Sequence, residues 1–477
     1  MANTAQHGPF DAPAARATTL GELKAAGYRT RSVKEELRHN LIRKLEANQP
    51  KFEGIVGFEE TVVPQVENAI LSGQDIIFLG ERGQAKTRLA RTLPSLLDEW
   101  LPFVGGCEID DDPLKPICWK CRALVAECGD ATPIDWLSRD RRYGEKLATP
   151  DITIADLIGE VDPIKVAEGR YLSDELTIHF GLLPRTHRGI FVINELPDLA
   201  ERIQVGLLNI MEERDVQIRG YKVRLPLDLF VIASANPEDY TNRGRIITPL
   251  KDRFGSQIRT HYPRTVEHEM EIMEQERGIF TDEEYDTLVP AYMREIVAEV
   301  THLARKSPEI SQRSGVSVRV SVANYENMLS NALRRAIRLH EKQVAPRISD
   351  LIALVQSTGG KIELETVGDR DEEKVIEKLL QKSVLNVFNR HFALHEFDEL
   401  LGGFDNGLKI EVGDGLPSLE YVRQAAEVSG FTPAIKKLGG QGNPAQIASA
   451  IELVLEGLHL NRKLNKDRTA GRMRYRS

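Results

Sequence analysis

The feature that most restricts this chain is Ile76-Ile77-Phe78-Leu79 running directly into Gly80-Glu81-Arg82-Gly83-Gln84-Ala85-Lys86-Thr87, with helical spacing from near Arg88. A short apolar β run that opens into a glycine-bearing loop and then a helix has the form of a P-loop. Such a loop can wrap backbone N–H groups round a phosphate at a helix N-terminus, with Lys86 reaching the terminal phosphates and the Thr87 hydroxyl placed for Mg²⁺. Ala85 stands where such loops usually carry a second glycine. One methyl is tolerated there if the backbone stays right-handed, while Gly83 supplies the tight bend. The candidate phosphate contacts are Gly80, Gly83, Gln84, Ala85, Lys86, Thr87 and Arg88.

Two further apolar runs, Ile190-Phe191-Val192-Ile193 and Leu229-Phe230-Val231-Ile232-Ala233, also end in polar segments. Alternation of these runs with amphipathic helical stretches from Phe52 to about Arg259 predicts an α/β fold, a parallel sheet covered by helices. The first run ends in Asn194-Glu195. Glu195 is the candidate for polarising an attacking water, and Asn194 occupies a position where an Asp is expected, so it offers an oxygen to a metal-bound water without adding charge. The second run leads to Ser234-Ala235-Asn236-Pro237, and Asn236, at the tip of a strand lying between the other two, suits a sensing role beside the terminal phosphate. In Leu250-Lys251-Asp252-Arg253-Phe254-Gly255, Arg253 sits where a helix end could project into a neighbouring subunit; taken alone, such an arginine is more often in a surface ion pair.

The chain has 477 residues, enough for more than one core, and 41% hydrophobic with 28% charged residues excludes a mainly disordered or fibrous chain. Lys and Arg number 63 against 72 Asp and Glu, a net charge of −9 that repels nucleic acid and anionic membranes in bulk. No apolar run reaches the roughly 18 residues that span a bilayer, and the start lacks a signal pattern, so a cytoplasmic protein is expected. The predicted organisation is a tail and helix over 1–45, with the segment through about Thr19 mobile, then an ATPase-type core over 46–262 with a Cys-containing insertion at about 101–150. A helical domain over 263–345 and a helical extension over 346–477 follow, the latter ending in a basic, solvated tail from Arg462 to Arg476.

Cys118-Trp119-Lys120-Cys121 is a C-x-x-C knuckle flanked by Cys107 and Cys128, the whole cysteine content of the chain. The four thiols predict a closed structural Zn²⁺ site, with plain buried thiols, a redox pair or an iron and sulfur cluster as alternatives.

Together these motifs resemble an AAA+ ATPase, specifically the magnesium chelatase subunit I and MoxR branch. Further residues carry the likeness: Phe52-Glu53-Gly54-Ile55-Val56-Gly57 resembles the segment that family packs near adenine, which adds Val56 and Gly57 to the nucleotide contacts. Gly181 to Leu196 and Ala235-Asn236-Pro237-Glu238 follow the family's order. The resemblance implies ATP and Mg²⁺ as ligands, Asn194 and Glu195 as Walker B, Asn236 as sensor 1, Arg253 as arginine finger and Arg319 as sensor 2, with Arg313 as its runner-up. It implies insertions at Val161 to Phe180 and at a hairpin from Asp215 to Leu225, a homo-oligomeric ring, expected to be a hexamer, and a partner bearing a von Willebrand A domain. The competing readings are a nucleic-acid motor or transcription activator, favoured by Arg219, Lys222, Arg224 and the basic tail, and a nucleotide-gated scaffold with weak hydrolysis.

Overall fold

The computed structural model describes residues 16–161, 178–213, 216–218, 221–223, 225–236, 245–278, 284–365, 369–428, 430–440, 442–469 and 472–477. They divide into two compact units, Met1–His261 and Tyr262–Ser477.

The first unit runs α1 (Leu20–Ala25), α2 (Val33–Glu46), α3 (Val62–Leu71), β1 (Ile76–Leu79), α4 (Lys86–Thr92), β2 (Trp100–Val104), α5 (Trp119–Cys128), β3 (Ile134–Ser138) and β4 (Tyr143–Leu147). It continues with α6 (Ile154–Leu157), β5 (Gly159–Val161), β6 (Ile178–Phe180), α7 (Leu182–Arg185), β7 (Gly189–Asn194), α8 (Glu201–Glu213), β8 (Val216–Ile218), β9 (Tyr221–Val223), β10 (Leu229–Ala235), α9 (Thr248–Arg253) and β11 (Ser256–Arg259). Five strands form a parallel sheet in the order β11-β1-β10-β7-β4.

Alternate residues of the central strands serve two cores. Ile76, Phe78, Ile190, Val192, Phe230 and Ile232 pack on one face, while Ile77, Phe191, Ile193, Val231 and Ala233 pack on the other. Burial on both faces is why these strands are continuous apolar runs rather than alternating ones. The register Phe78↔Ser234 and Ile232↔Val192 sets the C-terminal ends of β1, β10 and β7 side by side, so the polar segments that follow them converge.

Three features differ from the sequence-based expectations in this unit. The Cys-containing insertion is shorter than 101–150: β4 belongs to the main sheet, as an edge strand whose sequence Tyr-Gly-Glu-Lys-Leu carries no apolar run. Only β2, α5 and β3 stand apart, β2 and β3 pairing antiparallel. The segment up to Thr19 is not wholly mobile either, because Trp136 Nε1 donates to Ala17 O at 2.9 Å and Ile134 N donates to Thr18 O at 2.9 Å. Residues 162–177 of the first anticipated insertion lie outside the described residues. So do 214–215, 219–220 and 224 of the hairpin, whose arms β8 and β9 pair antiparallel.

Helix α2 starts with a capping box, Ser32 and Glu35 each accepting from the other's backbone. It is anchored by Glu36, which takes a bidentate pair of hydrogen bonds from buried Arg142 at 2.6 Å. Arg142 also donates to Arg188 O, so the pair is fully bonded, as a buried charge pair must be if it is not to cost stability.

The second unit holds α10 (Val266–Glu276), β12 (Asp286–Thr287), α11 (Ala291–Ala304), α12 (Val318–Arg338), β13 (Gln343–Val344), α13 (Leu354–Thr358), α14 (Asp369–His391), α15 (Asp398–Asp405), β14 (Ile410–Val412), α16 (Ser418–Ala426), α17 (Phe431–Lys437), α18 (Pro444–Leu460), β15 (Asn465–Thr469) and β16 (Arg472–Arg476). One apolar core extends from Met273 to Tyr475, so segments 263–345 and 346–477 fold together. The basic tail is neither helical nor solvated throughout. It forms a hairpin whose strand β16 lies between β14 and β15, with Arg474 on Glu411 at 2.6 Å, Lys466 on Glu456 at 2.7 Å and Arg476 on Asp467 at 2.6 Å. Acidic residues spaced along β14, α18 and β15 neutralise the charge that the sequence concentrates at the end of the chain.

Candidate functional site

The loop Gly80–Ala85 leaves β1 and enters α4. Gly80 allows no side chain, since a Cβ would collide with Thr260 Oγ1 and Gln84 Oε1, which themselves share a hydrogen bond of 2.9 Å. Gly83 has φ 76°, the left-handed bend anticipated for it. Ala85 departs from expectation: its φ is 53°, left-handed rather than right-handed, so the methyl is carried in a conformation that costs about 1 kcal/mol.

Lys86 is buried, and its ammonium donates to Gly80 O, to Glu81 O at 2.9 Å and to Asn236 Oδ1 at 2.5 Å. Asn236 Nδ2 in turn donates to Glu195 Oε2 at 2.9 Å. One amide at the tip of β10 therefore joins the loop lysine to the carboxylate at the tip of β7. Glu195 itself has φ 55°, an uncommon conformation for a residue with a side chain. Its N–H donates to Ser234 Oγ at 3.2 Å.

Asn194 Oδ1 accepts from Thr87 Oγ1 and Ser234 Oγ, both at 3.1 Å. Its Nδ2 donates to Glu145 Oε1 at 2.8 Å. Glu145 lies on β4 and also receives both Arg91 Nε and Nη2, at 2.8 and 2.9 Å, and the Tyr143 hydroxyl at 2.9 Å. Burial works against its charge, but the bonds from Arg91 and Tyr143 prevail and hold its carboxyl below the ordinary value. Burial and the neighbouring Glu145 raise the Tyr143 phenol. A negative charge missing at position 194 is thus present one hydrogen bond behind it.

Ser234 and Glu145 were not among the residues singled out from the sequence. Ser234 lay inside a recognised motif, whereas Glu145 sits in a polar edge strand that carries no periodic signal. Val56 and Gly57 occupy the loop before α3, where Gly57 N–H meets Glu59 Oε1 at 3.0 Å, and are not part of the hydrogen-bonded set around Lys86. Arg88 lies in the first turn of α4, partly buried. Arg253 ends α9 and forms an ion pair with Glu212 on α8, both side chains about two-fifths exposed. Arg319 and Arg313 are exposed in the second unit, Arg319 in the first turn of α12.

The cysteines divide differently from the expected four-thiol set. Cys107, Cys118 and Cys121 gather with Asp111, their ligand atoms all within 4.8 Å of one another. Cys128 is not in this group. It closes the helix on which Cys121 sits, seven residues further on, and a rise of about 1.5 Å per residue carries it roughly 10 Å along the axis.

No protein-family model matches the chain. YeaC of Bacillus subtilis (strain 168), an uncharacterised protein, is 26% identical over 215 residues, 42% of this chain and 62% of YeaC. An archaeal Lon protease of Thermococcus kodakarensis is 25% identical over 138 residues, 26% of this chain. The chain thus spans about three fifths of the first relative and 21% of the second. Among solved structures, the complex between subunits BchI and BchD of magnesium chelatase aligns with 69% of this chain and 98% of its own at 19% identity, with a TM-score of 0.35. Among the described residues, no helix is long and apolar enough to cross a membrane.

Proposed function

We propose that the protein is an ATP-hydrolysing ring ATPase resembling magnesium chelatase subunit I, and that its turnover remodels or activates a partner protein of the von Willebrand A type. The observation that carries the ATPase reading is the Lys86–Asn236–Glu195 chain of hydrogen bonds at the converging ends of β1, β10 and β7.

In this reading the backbone N–H groups of the Gly80–Ala85 loop and the Lys86 ammonium take the phosphates, so that Lys86 exchanges its bonds to loop carbonyls for bonds to phosphate oxygens. Glu195 accepts a proton from the attacking water, and Asn236 orients its carboxylate through the hydrogen bond to Oε2. The site suits Mg²⁺: Thr87 donates its hydroxyl hydrogen to the Asn194 amide oxygen and so keeps its own oxygen lone pairs outward as a hard ligand, with Asn194 orienting it. Bound there with ATP, Mg²⁺ would neutralise phosphate charge. Glu145, through Asn194, supplies the local negative charge. Arg253 serves as the finger of a neighbouring subunit after its exposed pair with Glu212 opens, which costs no more than about 1 kcal/mol. Arg319 serves as sensor 2, and a finger acting across an interface requires a neighbouring subunit, which the proposed hexameric ring supplies.

Remodelling is preferred to nucleic-acid work because the tail arginines Arg472, Arg474 and Arg476 already face carboxylates. The experiment is ATP turnover with three proteins. Lys86→Ala should lose ATP binding, and Glu195→Gln should bind ATP yet turn over at least about a hundredfold more slowly; unchanged turnover in Glu195→Gln would overturn the reading. Stimulation by a von Willebrand A protein supports the remodelling assignment. Several-fold stimulation by DNA that fades with salt would replace it with the motor reading.

A further inference from the structure

We propose that Cys107, Cys118, Cys121 and Asp111 form a tetrahedral site for one structural Zn²⁺ ion that ties the loop after β2 to the start of α5 within the β2–α5–β3 insertion. The site shares no residue with the nucleotide machinery.

The argument starts from the chain between β2 and α5. Cys107 lies three residues beyond the end of β2, its N–H bonded to Val104 O at 3.1 Å, and Cys118 is the N-cap of α5. The C-x-x-C segment turns so that Cys121 N–H donates to Cys118 Sγ at 3.3 Å, the kind of N–H to sulfur bond that steadies a thiolate in a metal knuckle. The three sulfurs and one Asp111 oxygen lie within 4.8 Å of one another. With Zn–S distances of about 2.3 Å, tetrahedral ligands stand about 3.8 Å apart, so closure on an ion needs shifts of about 1 Å or less.

Asp111 is the element that plain thiol packing leaves unexplained. It is fully buried, and among the described residues no Lys or Arg lies within 4 Å of its carboxylate. The basic side chain nearest to it among the described residues is His187, at 4.0 Å, whose Nδ1 accepts the Asp228 N–H and whose Nε2 therefore carries the proton. Three backbone N–H groups, of Asp112, Ile117 and Cys118, point at the carboxylate. Ile117 N–H is shared between the two oxygens, and one of those oxygens lies within 4.8 Å of all three sulfurs. A buried carboxylate beside three thiols is costly without a cation, and thiolates with a carboxylate are a donor set that Zn²⁺ accepts. Cys118 and Cys121 are buried, whereas Cys107 borders a cleft of about 450 Å³ that gives an ion a route in.

Leu101, Phe103 and Leu137 of the insertion form a small cluster with Cys107 against it, while Val104, Ile109, Cys118 and Cys121 are buried in the core on one face of the main sheet, against which Cys107 also packs. The ion would lock the loop after β2 to α5 at this junction through its ligands.

The test is metal analysis of the full chain purified without added metal, expected to give close to one zinc per chain. Cys107→Ser and Cys118→Ser should each weaken Zn²⁺ binding at least tenfold against a chromophoric chelator, Asp111→Asn likewise, and Cys128→Ser should keep full stoichiometry. Where a variant fails to fold, the wild-type protein answers: an organomercurial should modify Cys128 without releasing zinc, then release one zinc as the other three thiols react. Four thiols reacting together in a metal-free protein that takes up no added ZnCl₂ would overturn the site. Zinc lost on Cys128→Ser, or retained at full affinity in Asp111→Asn, would overturn the ligand set.

Discussion

Asn194 and Glu145 meet diagonally across the β7–β4 pair, the amide Nδ2 donating to the carboxylate at 2.8 Å. That contact fixes which way the amide faces. Its oxygen is committed to the Thr87 and Ser234 hydroxyls, so the neutral residue transmits the charge of Glu145 toward the position where Mg²⁺ is expected.

Glu145→Gln should therefore raise the Mg²⁺ concentration for half-maximal ATP turnover by about tenfold, on the scale of losses seen when a group behind a metal ligand is removed. Asn194→Asp alone should fail to lower it, because two carboxylates in contact cannot both stay ionised. Combined with Glu145→Gln, it should restore the wild-type requirement. A Mg²⁺ titration of the three variants checks this.

Asn236→Asp should reduce turnover by about a hundredfold while leaving ATP binding within a few-fold of normal. The new carboxylate still accepts from Lys86 but repels Glu195, so the hydrolytic step suffers more than the phosphate contacts. Separate measurements of nucleotide affinity and single-turnover rate distinguish the two effects.

Ala85→Gly should raise stability by roughly 0.5–1 kcal/mol. Removing the methyl relieves a left-handed φ of 53°, and the gain is reduced by the greater freedom of glycine in the unfolded chain. The urea midpoint of the variant, at unchanged slope, is the measurement.

Arg253→Ala should leave stability within about 1 kcal/mol, since its pair with Glu212 is exposed, yet lower turnover by about a thousandfold or more if it acts as a finger. Mixing it with Lys86→Ala subunits should recover part of the activity, because an intact finger then faces an intact loop in some interfaces.

Acid stability of the second unit should depend on Glu269. Burial opposes its charge, but the His302 imidazole 3.5 Å away and hydrogen bonds from Arg305 and Ser321 outweigh burial and lower its carboxyl from the ordinary 4.5. With the folded value below the unfolded one, the unfolded chain binds more protons in between. The contribution is therefore present above about pH 4.5 and lost as pH falls through the lowered folded value. Glu269→Gln should flatten this part of the acid limb in urea midpoints measured from pH 6 to pH 3.

The central strands β1, β7 and β10 were legible in the sequence because burial on both faces demands unbroken apolar runs, and the polar tips that follow them were legible with them. The edge strands were not. β4 and β11 carry Tyr-Gly-Glu-Lys-Leu and Ser-Gln-Ile-Arg, half-exposed sequences that pairing rather than composition makes into strands. Glu145 was hidden for the same reason. Among the cysteines, a C-x-x-C spacing announces its own pair, but helical rise separates Cys128 from it, and Asp111 joins only through a loop whose course no spacing encodes. At Ala85, residue type argued for a right-handed backbone, and the demands of the loop prevailed.

The hairpin formed by β15 and β16 gives the second unit an order of assembly. Because β16 is the middle strand of its sheet, Ile410 pairs with Tyr475, and Glu411 with Arg472 and Arg474, across the whole stretch of chain that carries α16, α17 and α18. Contacts this far apart in sequence close slowly. During that interval the β14 strand presents an unpaired edge, so the residues after Leu460 act as the clasp that ends the unit's exposure to misassociation. Shortening the chain there would unfasten a sheet rather than trim a charged appendage.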